Sequence, residues 1–257
     1  MRHEFAFYTP QASLLSARFA LNDTCKLDNK LDSELVHRAT QVIRVQANDT
    51  LILFDEKHIV RMQVSEFIKK QSLTGVILSK TIPAALKPTI EWIVPLLERE
   101  PFEEALSYLT ILGATTIYPV ITEKVHRTSV TQKEWERIRR LMIAACEQSK
   151  QFVLPKIEPI TTLTNLSSLL KNIPSKTKLF FDPTGQPAAQ VMRDLEVNLS
   201  ENTEFICMVG PEGDLTNQEK CLLSEHNFTF CALTPSILRS QHAIMVSMGM
   251  LRSFLNK

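Results

Sequence analysis

The residues best suited to bind a small ligand form a Gly-Pro-Glu-Gly turn at positions 210–213. A mostly apolar run at 204–209 precedes this turn, and Thr216 with Glu219 has the spacing of a helix capping box. A strand, a tight turn and a helix start would leave free backbone N–H groups at the carboxyl end of a sheet, where open α/β sheets bind ligands. Glycine tolerates positive φ and proline fixes its own φ, so the turn is expected to be tight. An ordinary strand-to-helix turn explains the same pattern equally well.

Other ligand motifs are missing from the sequence. It contains neither a dinucleotide-binding fingerprint nor a P-loop. The five cysteines are odd in number and do not have the spacing of metal ligands. We therefore expect reduced thiols and no metal site.

Composition is that of an ordinary globular protein, with 257 residues, 44% apolar and 22% charged. No apolar run approaches the roughly 20 residues of a membrane span. The first five residues lack the apolar segment of a signal peptide, so a cytoplasmic protein with no membrane partner is expected. A net charge of +1 argues against a basic surface all round, but it leaves room for a local basic face.

Residues 1–80 predict a small β-rich domain, because short apolar or alternating segments are separated by polar turns. Within it, residues 35–45 have near-helical apolar spacing and place His37, Arg38 and Arg44 on exposed positions. Such a charge run is usually a solvated face. A small barrel with basic groups on one side is also a common way to hold an RNA backbone.

Residues 81–257 predict a second domain, which begins in a proline-containing segment around 79–88. Strands and helices alternate along it, which favours a mostly parallel sheet with helices on both faces. Thr131 and Glu134 are spaced to cap a long helix. Pro119, inside a predicted strand, indicates a strand at the sheet edge or near its end.

Three strand ends converge at one edge of such a sheet. They are residues 181–185, the turn that begins at 209, and residues 233–239. The pattern alone therefore predicts an α/β domain with a pocket formed by three loops.

Two of these loops resemble a paired family signature. Val-Gly-Pro-Glu-Gly at 209–213 and Leu-Thr-Pro-Ser-Ile-Leu-Arg at 233–239 are similar to the loops of SPOUT methyltransferases. The likeness is strongest to the bacterial 16S ribosomal RNA uridine N3-methyltransferase family and extends over nearly the whole chain, with further matches within 112–123, 135–149 and 153–157.

The resemblance implies a deep trefoil knot in the second domain, a PUA-like β-barrel in the first, and a homodimer. It also implies that S-adenosyl-L-methionine binds in the knot, mainly through backbone groups, and that a methyl group is transferred to N3 of a uridine in 16S rRNA of the small ribosomal subunit. The implied cofactor-binding residues are Phe181, Val209, Gly210, Pro211, Glu212, Gly213, Leu233, Ser236, Ile237 and Leu238.

The implied RNA-binding residues are Arg2, His37, Arg38 and Arg44. Arg239 and Glu212 are the implied catalytic residues. Arg239 would orient the target base or a phosphate through its planar fork, or it would only form a salt bridge on the last helix. Glu212 would accept a hydrogen bond from target or cofactor, or it would only bind the N–H groups of its own turn.

Several positions depart from the family pattern. Asp214 replaces a glycine, Gln241 replaces a carboxylate beside the cofactor pocket, and Tyr108, Ile111 and His242 also differ. These departures keep two alternatives open. One is a catalytically weak or silent relative that binds RNA and the cofactor, and the other is a methyltransferase for a different nucleotide. Asp214 is the residue we expect to hold Arg239 in place of the lost carboxylate.

Overall fold

The structure is a computed structural model that describes residues 3–68, 70–166, 176–196 and 203–255. Arg2, a predicted RNA-binding residue, lies outside these ranges. The chain divides into two compact units. Unit 1 comprises Met1–Ala84 and Cys146–Val153, and unit 2 comprises Ala85–Ala145 and Leu154–Lys257.

Unit 1 is built on a five-stranded mixed sheet, with strand order β1-β3-β4-β5-β2. Its strands are β1 (Glu4–Tyr8), β2 (Thr24–Asp28), β3 (Thr50–Phe54), β4 (Ile59–Ile68) and β5 (Ser72–Thr81). Only β1 and β3 pair in parallel, and the other neighbours are antiparallel. These strands lie within the residues that the sequence predicts to be β-rich. Among the residues described, β1 and β2 remain the two ends of the sheet, so a closed barrel is not seen.

The helices of unit 1 cover one face of this sheet. They are α1 (Ala12–Arg18), α2 (Asn29–His37) and a π-helical turn at Arg38–Ile43. Apolar residues from these helices pack with alternate strand residues into one core, for example Leu35 and Val36 with Leu51 and Leu53. The near-helical spacing at 35–45 therefore marks a helical segment in which Leu35, Val36 and Ala39 are buried, whereas Val42 and Ile43 are exposed.

Unit 2 contains a parallel sheet with strand order β12-β10-β11-β6-β7-β8, and β9 pairs with β7. Its strands are β6 (Ile90–Pro95), β7 (Thr116–Ile121), β8 (Lys156–Ile157), β9 (Thr161–Thr162), β10 (Thr177–Pro187), β11 (Phe205–Val209) and β12 (Thr229–Ala232). Its helices are α3 (Arg99–Ile111), α4 (Gln132–Ser149, with its last residues in unit 1), α5 (Ala188–Glu196), α6 (Asn217–Glu225) and α7 (Ser240–Leu255).

Successive strand residues of unit 2 enter two different cores, as the period of two along a strand requires. Trp92 and Cys207 pack with residues of α3, α5 and α7 on one face. Ile93 and Met208 pack on the other face, where Leu223 of α6 covers them. The predicted parallel sheet with helices on both faces is confirmed.

The expectation of an edge position for Pro119 is wrong. β7 lies between β6 on one side and the short strands β8 and β9 on the other. β8 pairs with Thr116 and Ile117, and β9 pairs with Val120 and Ile121. Pro119 falls in the gap between these two partners, where its missing N–H breaks no pairing on that side.

Both predicted capping boxes are present. Thr131 Oγ1 accepts from the Glu134 backbone N–H at 3.3 Å, and a Glu134 carboxylate oxygen accepts from the Thr131 N–H at 2.9 Å. Thr216 and Glu219 make the same reciprocal pair at the start of α6.

Among the residues described, no helix is long and apolar enough to cross a membrane.

Candidate functional site

A cavity of about 690 Å³ lies at the carboxyl edge of the unit 2 sheet. Its walls are formed by three parts of the chain: the residues of β10 after Phe180, the turn after β11, and the segment between β12 and α7. Glu98 and Pro101, at the start of α3, also line it. The three strand ends predicted to converge do so here. This volume falls within the roughly 300–1,000 Å³ typical of small-molecule sites.

Most residues singled out from the sequence meet in this cavity. Arg239 lines it, together with nine of the ten predicted cofactor-binding residues, namely Phe181, Val209, Gly210, Pro211, Glu212, Leu233, Ser236, Ile237 and Leu238. Gly213 does not belong to the lining. Binding by these residues stays a prediction, but their placement gives it a common site.

The turn after β11 reaches its shape differently from the expectation. Its positive φ belongs to Asp214, at 59°, and not to Gly210 or Gly213. Aspartate tolerates this conformation better than most residues, since its short side chain can bond locally. Here Asp214 Oδ1 accepts from the Leu215 N–H at 2.7 Å, and the Asp214 N–H donates to the Pro211 carbonyl at 3.0 Å.

Sequence reasoning missed an ion network beside the cavity. Lys220 Nζ on α6 lies 2.8 Å from Asp182 Oδ2 and 2.9 Å from Asp214 Oδ2. Asp182 is buried and also accepts from the backbone N–H and the hydroxyl of Thr184 at 2.8 and 2.5 Å. Burial alone would raise the pKa of Asp182, but the hydrogen bonds from Lys220 and Thr184 outweigh it and lower the pKa.

The start of α7 brings two buried polar side chains to the cavity. Ser240 Oγ donates to the Gly210 carbonyl at 2.7 Å and so links α7 to the turn after β11. Gln241 is 4% exposed and lines the cavity, and its Oε1 atom has no hydrogen-bond partner among the residues described. A buried acceptor without a donor is costly, so this atom marks a place where a ligand donor would fit.

Arg239 and Glu212 are both exposed at the cavity. Within the described part of the chain, Arg239 forms no ion pair. The Asp214 carboxylate is taken up by Lys220 and the Leu215 N–H, so the expected Asp214–Arg239 pair is not formed. Among the described residues, the Glu212 side chain forms no hydrogen bond to its own turn, where the Asp214 N–H donates to the Pro211 carbonyl. Both side chains are thus available to a substrate.

The three predicted RNA-binding residues that the structure describes lie together in unit 1, but they differ in their contacts. Arg38 forms two hydrogen bonds to Glu147, at 2.9 and 2.5 Å, and lies over the Phe7 ring at 5.3 Å. These bonds raise the pKa of Arg38 although burial opposes them. His37 and Arg44 are exposed, and Arg44 has a φ of 60°. Arg38 therefore serves mainly to pair with Glu147 inside unit 1, whereas the side chains of His37 and Arg44 lie in solvent.

The family called RNA methyltransferase domain matches residues 85–252, which are most of unit 2 and include the whole cavity. The chain belongs to this family. The match confirms the resemblance to RNA methyltransferases that the two loops indicated, at the level of the family.

Individual relatives extend the likeness to the full chain. A ribosomal RNA small subunit methyltransferase E from Rickettsia conorii is 28% identical over 239 residues, which cover 93% of each chain. The crystal structure of a ribosomal RNA small subunit methyltransferase E from Neisseria gonorrhoeae, bound to S-adenosyl methionine, is similar with a TM-score of 0.74, 25% identity and 98% of each chain covered. A putative methyltransferase from Legionella pneumophila, in complex with the same cofactor, has the same fold at a TM-score of 0.71, with 20% identity and 98% of each chain covered.

Proposed function

We propose that this protein is an S-adenosyl-L-methionine-dependent methyltransferase that modifies N3 of a uridine in 16S rRNA of the small ribosomal subunit. The observation that carries the proposal is the 690 Å³ cavity, because it lies inside the matched family domain and gathers nine of the ten residues expected to bind the cofactor. The names of full-length relatives as ribosomal RNA small subunit methyltransferases support the substrate, and the cofactor bound in one relative supports the methyl donor.

The residues present fit this cofactor. Phe181, Val209 and Leu233 give the cavity apolar walls, and the turn after β11 gives it backbone groups. The unpartnered Gln241 Oε1 atom is an acceptor, and the cofactor offers amino and hydroxyl donors for it. When bound, the cofactor supplies a methyl group on a sulfonium, which is an excellent leaving group.

The work left to the protein is positioning and removal of the N3 proton. The uridine must leave any base stack to reach the cavity. Glu212, an exposed carboxylate at the cavity, would accept the N3 proton. Arg239 would bind a uracil carbonyl oxygen or the adjacent phosphate, and its charge would stabilise the negative charge that develops on the base.

Finer features of the family belong to the same proposal. A trefoil knot would bring together β10, the turn after β11 and the segment before the last helix, and residues of all three line the same cavity. The mixed sheet of unit 1 with its basic residues supports a PUA-like RNA-binding domain. Exposed Met245 and Val246 on α7 offer an apolar surface for a second copy in a homodimer. A protein that methylates rRNA would act in the cytoplasm, where its substrate is assembled.

The test is transfer of tritiated methyl from labelled cofactor to small ribosomal subunits, with naked 16S rRNA for comparison. Product nucleosides are then identified by mass spectrometry. Parent protein should yield N3-methyluridine. Glu212→Gln should reduce the single-turnover rate by at least tenfold because it removes the general base, and Arg239→Ala should do so because it removes the charge that stabilises the developing anion. Lys133→Met, which removes an exposed lysine on α4, is the matched control and should have no effect.

The silent relative is the second candidate, and the loss of a family carboxylate at Gln241 favours it. Cofactor binding without any methyl transfer to subunits or RNA would establish it and contradict the proposal. If a different nucleoside is methylated, the protein is a methyltransferase but its target is not N3 of uridine.

A further inference from the structure

The side chain of Lys220 contacts two of the cavity walls at once. Lys220 Nζ contacts Asp182 in β10 and Asp214 in the turn after β11, at 2.8 and 2.9 Å. Both aspartates line the cavity, but Lys220 does not. The lysine therefore stands behind the cavity wall and can affect a ligand only through the two carboxylates.

The contact holds two costly features in place. The Asp182 side chain is 3% exposed, and a buried carboxylate is unfavourable unless it is paired and hydrogen-bonded. Asp214 has positive φ, a conformation that aspartate tolerates better than most residues but that is still less favourable than for glycine. Lys220 compensates the charge of the first and fixes the side chain of the second, so its loss would free both loops.

Asp214 also connects its turn to the next helix. With aspartate there, the turn gains a carboxylate that reaches α6, and Lys220 lies at the place where that carboxylate arrives. Lys220 is on the first turns of α6, behind the Thr216–Glu219 capping box, which fixes the helix start.

We propose that Lys220 is a positioning residue that holds the loops of Asp182 and Asp214 in the conformation that binds the cofactor. This inference rests on the proposed function for the identity of the cofactor. Because the lysine acts on loop position rather than on the methyl group, its loss weakens substrate cofactor and demethylated product alike. Interactions made equally before and during the reaction change binding and leave the chemical step unaltered.

The experiment measures the affinity for S-adenosylmethionine and S-adenosylhomocysteine by calorimetry on the full chain, with thermal unfolding to confirm folding. Lys220→Met should weaken both ligands by the same factor, about tenfold, which corresponds to ~1.4 kcal/mol. KM for the cofactor should rise by a similar factor and kcat should stay within about twofold. Lys220→Arg should restore most of the affinity, since its fork can contact both carboxylates. Lys133→Met is the control.

A double-mutant cycle tests the connection between the loops. Asp214→Asn keeps a residue that tolerates positive φ and an acceptor for the Leu215 N–H, but removes the charge that meets Lys220. It should weaken both ligands less than Lys220→Met does, and the double variant should be no worse than Lys220→Met alone, because the two side chains act as one unit. Additive losses would overturn the proposal, as would unchanged affinity in Lys220→Met.

Two further results separate this inference from its rivals. Tighter binding of the sulfonium with unchanged binding of the neutral product would overturn positioning, because loss of the lysine charge alone favours a cationic ligand. Hydrogen exchange of the ligand-free protein gives a readout independent of the cofactor. Backbone amides at 209–216 should exchange faster in Lys220→Met, and unchanged exchange there would overturn the role. A parent protein that binds neither ligand would refute the proposed function, while the exchange result would still decide whether Lys220 holds the loops.

Discussion

At the scale of the residue, two arginines of unit 1 that looked alike in the sequence make different contacts in the structure. Arg38 and Arg44 are both basic residues near the π-helical turn of unit 1. The Arg38 guanidinium is bound by a carboxylate whose side chain is only 10% exposed, whereas the Arg44 side chain is exposed and has no partner within the described residues. The paired Arg38 is therefore expected to contribute to stability, and the exposed Arg44 is expected to contribute little to it.

Arg38→Ala should therefore destabilise the protein by about 1–3 kcal/mol, because it leaves the largely buried Glu147 carboxylate without its charged donor. Arg44→Ala should change stability by less than about 0.5 kcal/mol, since alanine and arginine suffer similarly at a φ of 60°. Urea unfolding measures both. If Arg44 contacts RNA backbone, its loss should also lower the salt slope of RNA binding by about 1. Equal stability losses in the two variants would contradict this division of roles.

The sequence predicted residues whose partners are local and missed those whose partners are distant. Thr216 and Glu219 were recognisable because the capping box depends only on their spacing. Arg38 and Glu147 are 109 positions apart, and the sequence around each of them does not indicate that they pair. The role of Lys220 was missed because its partner Asp182 is also distant in the sequence. The pocket at three loops was predicted from the strand ends alone, whereas the individual cofactor-binding residues were named from the family signature.

At the scale of the element, β10 is the least regular strand of unit 2. It pairs with β12 through Phe181 and again from Gln186, with an irregularity between them. The sequence predicted a strand that ended near Asp182 and a turn at Gly185, because proline and glycine there are typical of turns. The chain instead returns to the sheet edge, and Gly185 allows it to do so.

Gly185→Ala should be severely destabilising. A Cβ atom at this position would lie 2.3 Å from the Phe230 carbonyl carbon and 2.4 Å from the Cys231 nitrogen, and backbone atoms in a paired strand cannot move aside cheaply. We expect a loss of at least about 3 kcal/mol in urea unfolding.

Gly249→Ala is the matched control, since an added Cβ there meets nothing within 4 Å and lies inside α7. It should stabilise the protein by up to about 1 kcal/mol through helix propensity. A Gly185 variant as stable as the parent would show that β10 leaves the sheet at this point.

At the scale of the whole molecule, the two units have separate cores, and their cysteines report on each. Cys25 and Cys146 are buried in unit 1, Cys207 and Cys231 are buried in unit 2, and Cys221 is exposed on α6. Burial raises the pKa of the Cys25 thiol to about 11, and those of Cys146 and Cys231 to about 12. It also raises the pKa of Cys207 well above its ordinary value. Buried thiols that keep their protons are poor nucleophiles until the surrounding core opens.

Native protein at pH 8 should therefore react with a thiol reagent at Cys221 alone on a timescale of minutes, and Cys221→Ser should abolish that fast phase. The other four cysteines should react only through opening of the unit in which each is buried. Pulsed alkylation across a urea gradient, read by mass spectrometry, should show Cys25 and Cys146 modified together and Cys207 and Cys231 modified together. Shared midpoints within each pair follow if each core unfolds as one cooperative unit. Modification of Cys146 in step with Cys207 rather than with Cys25 would contradict the assignment of the end of α4 to unit 1.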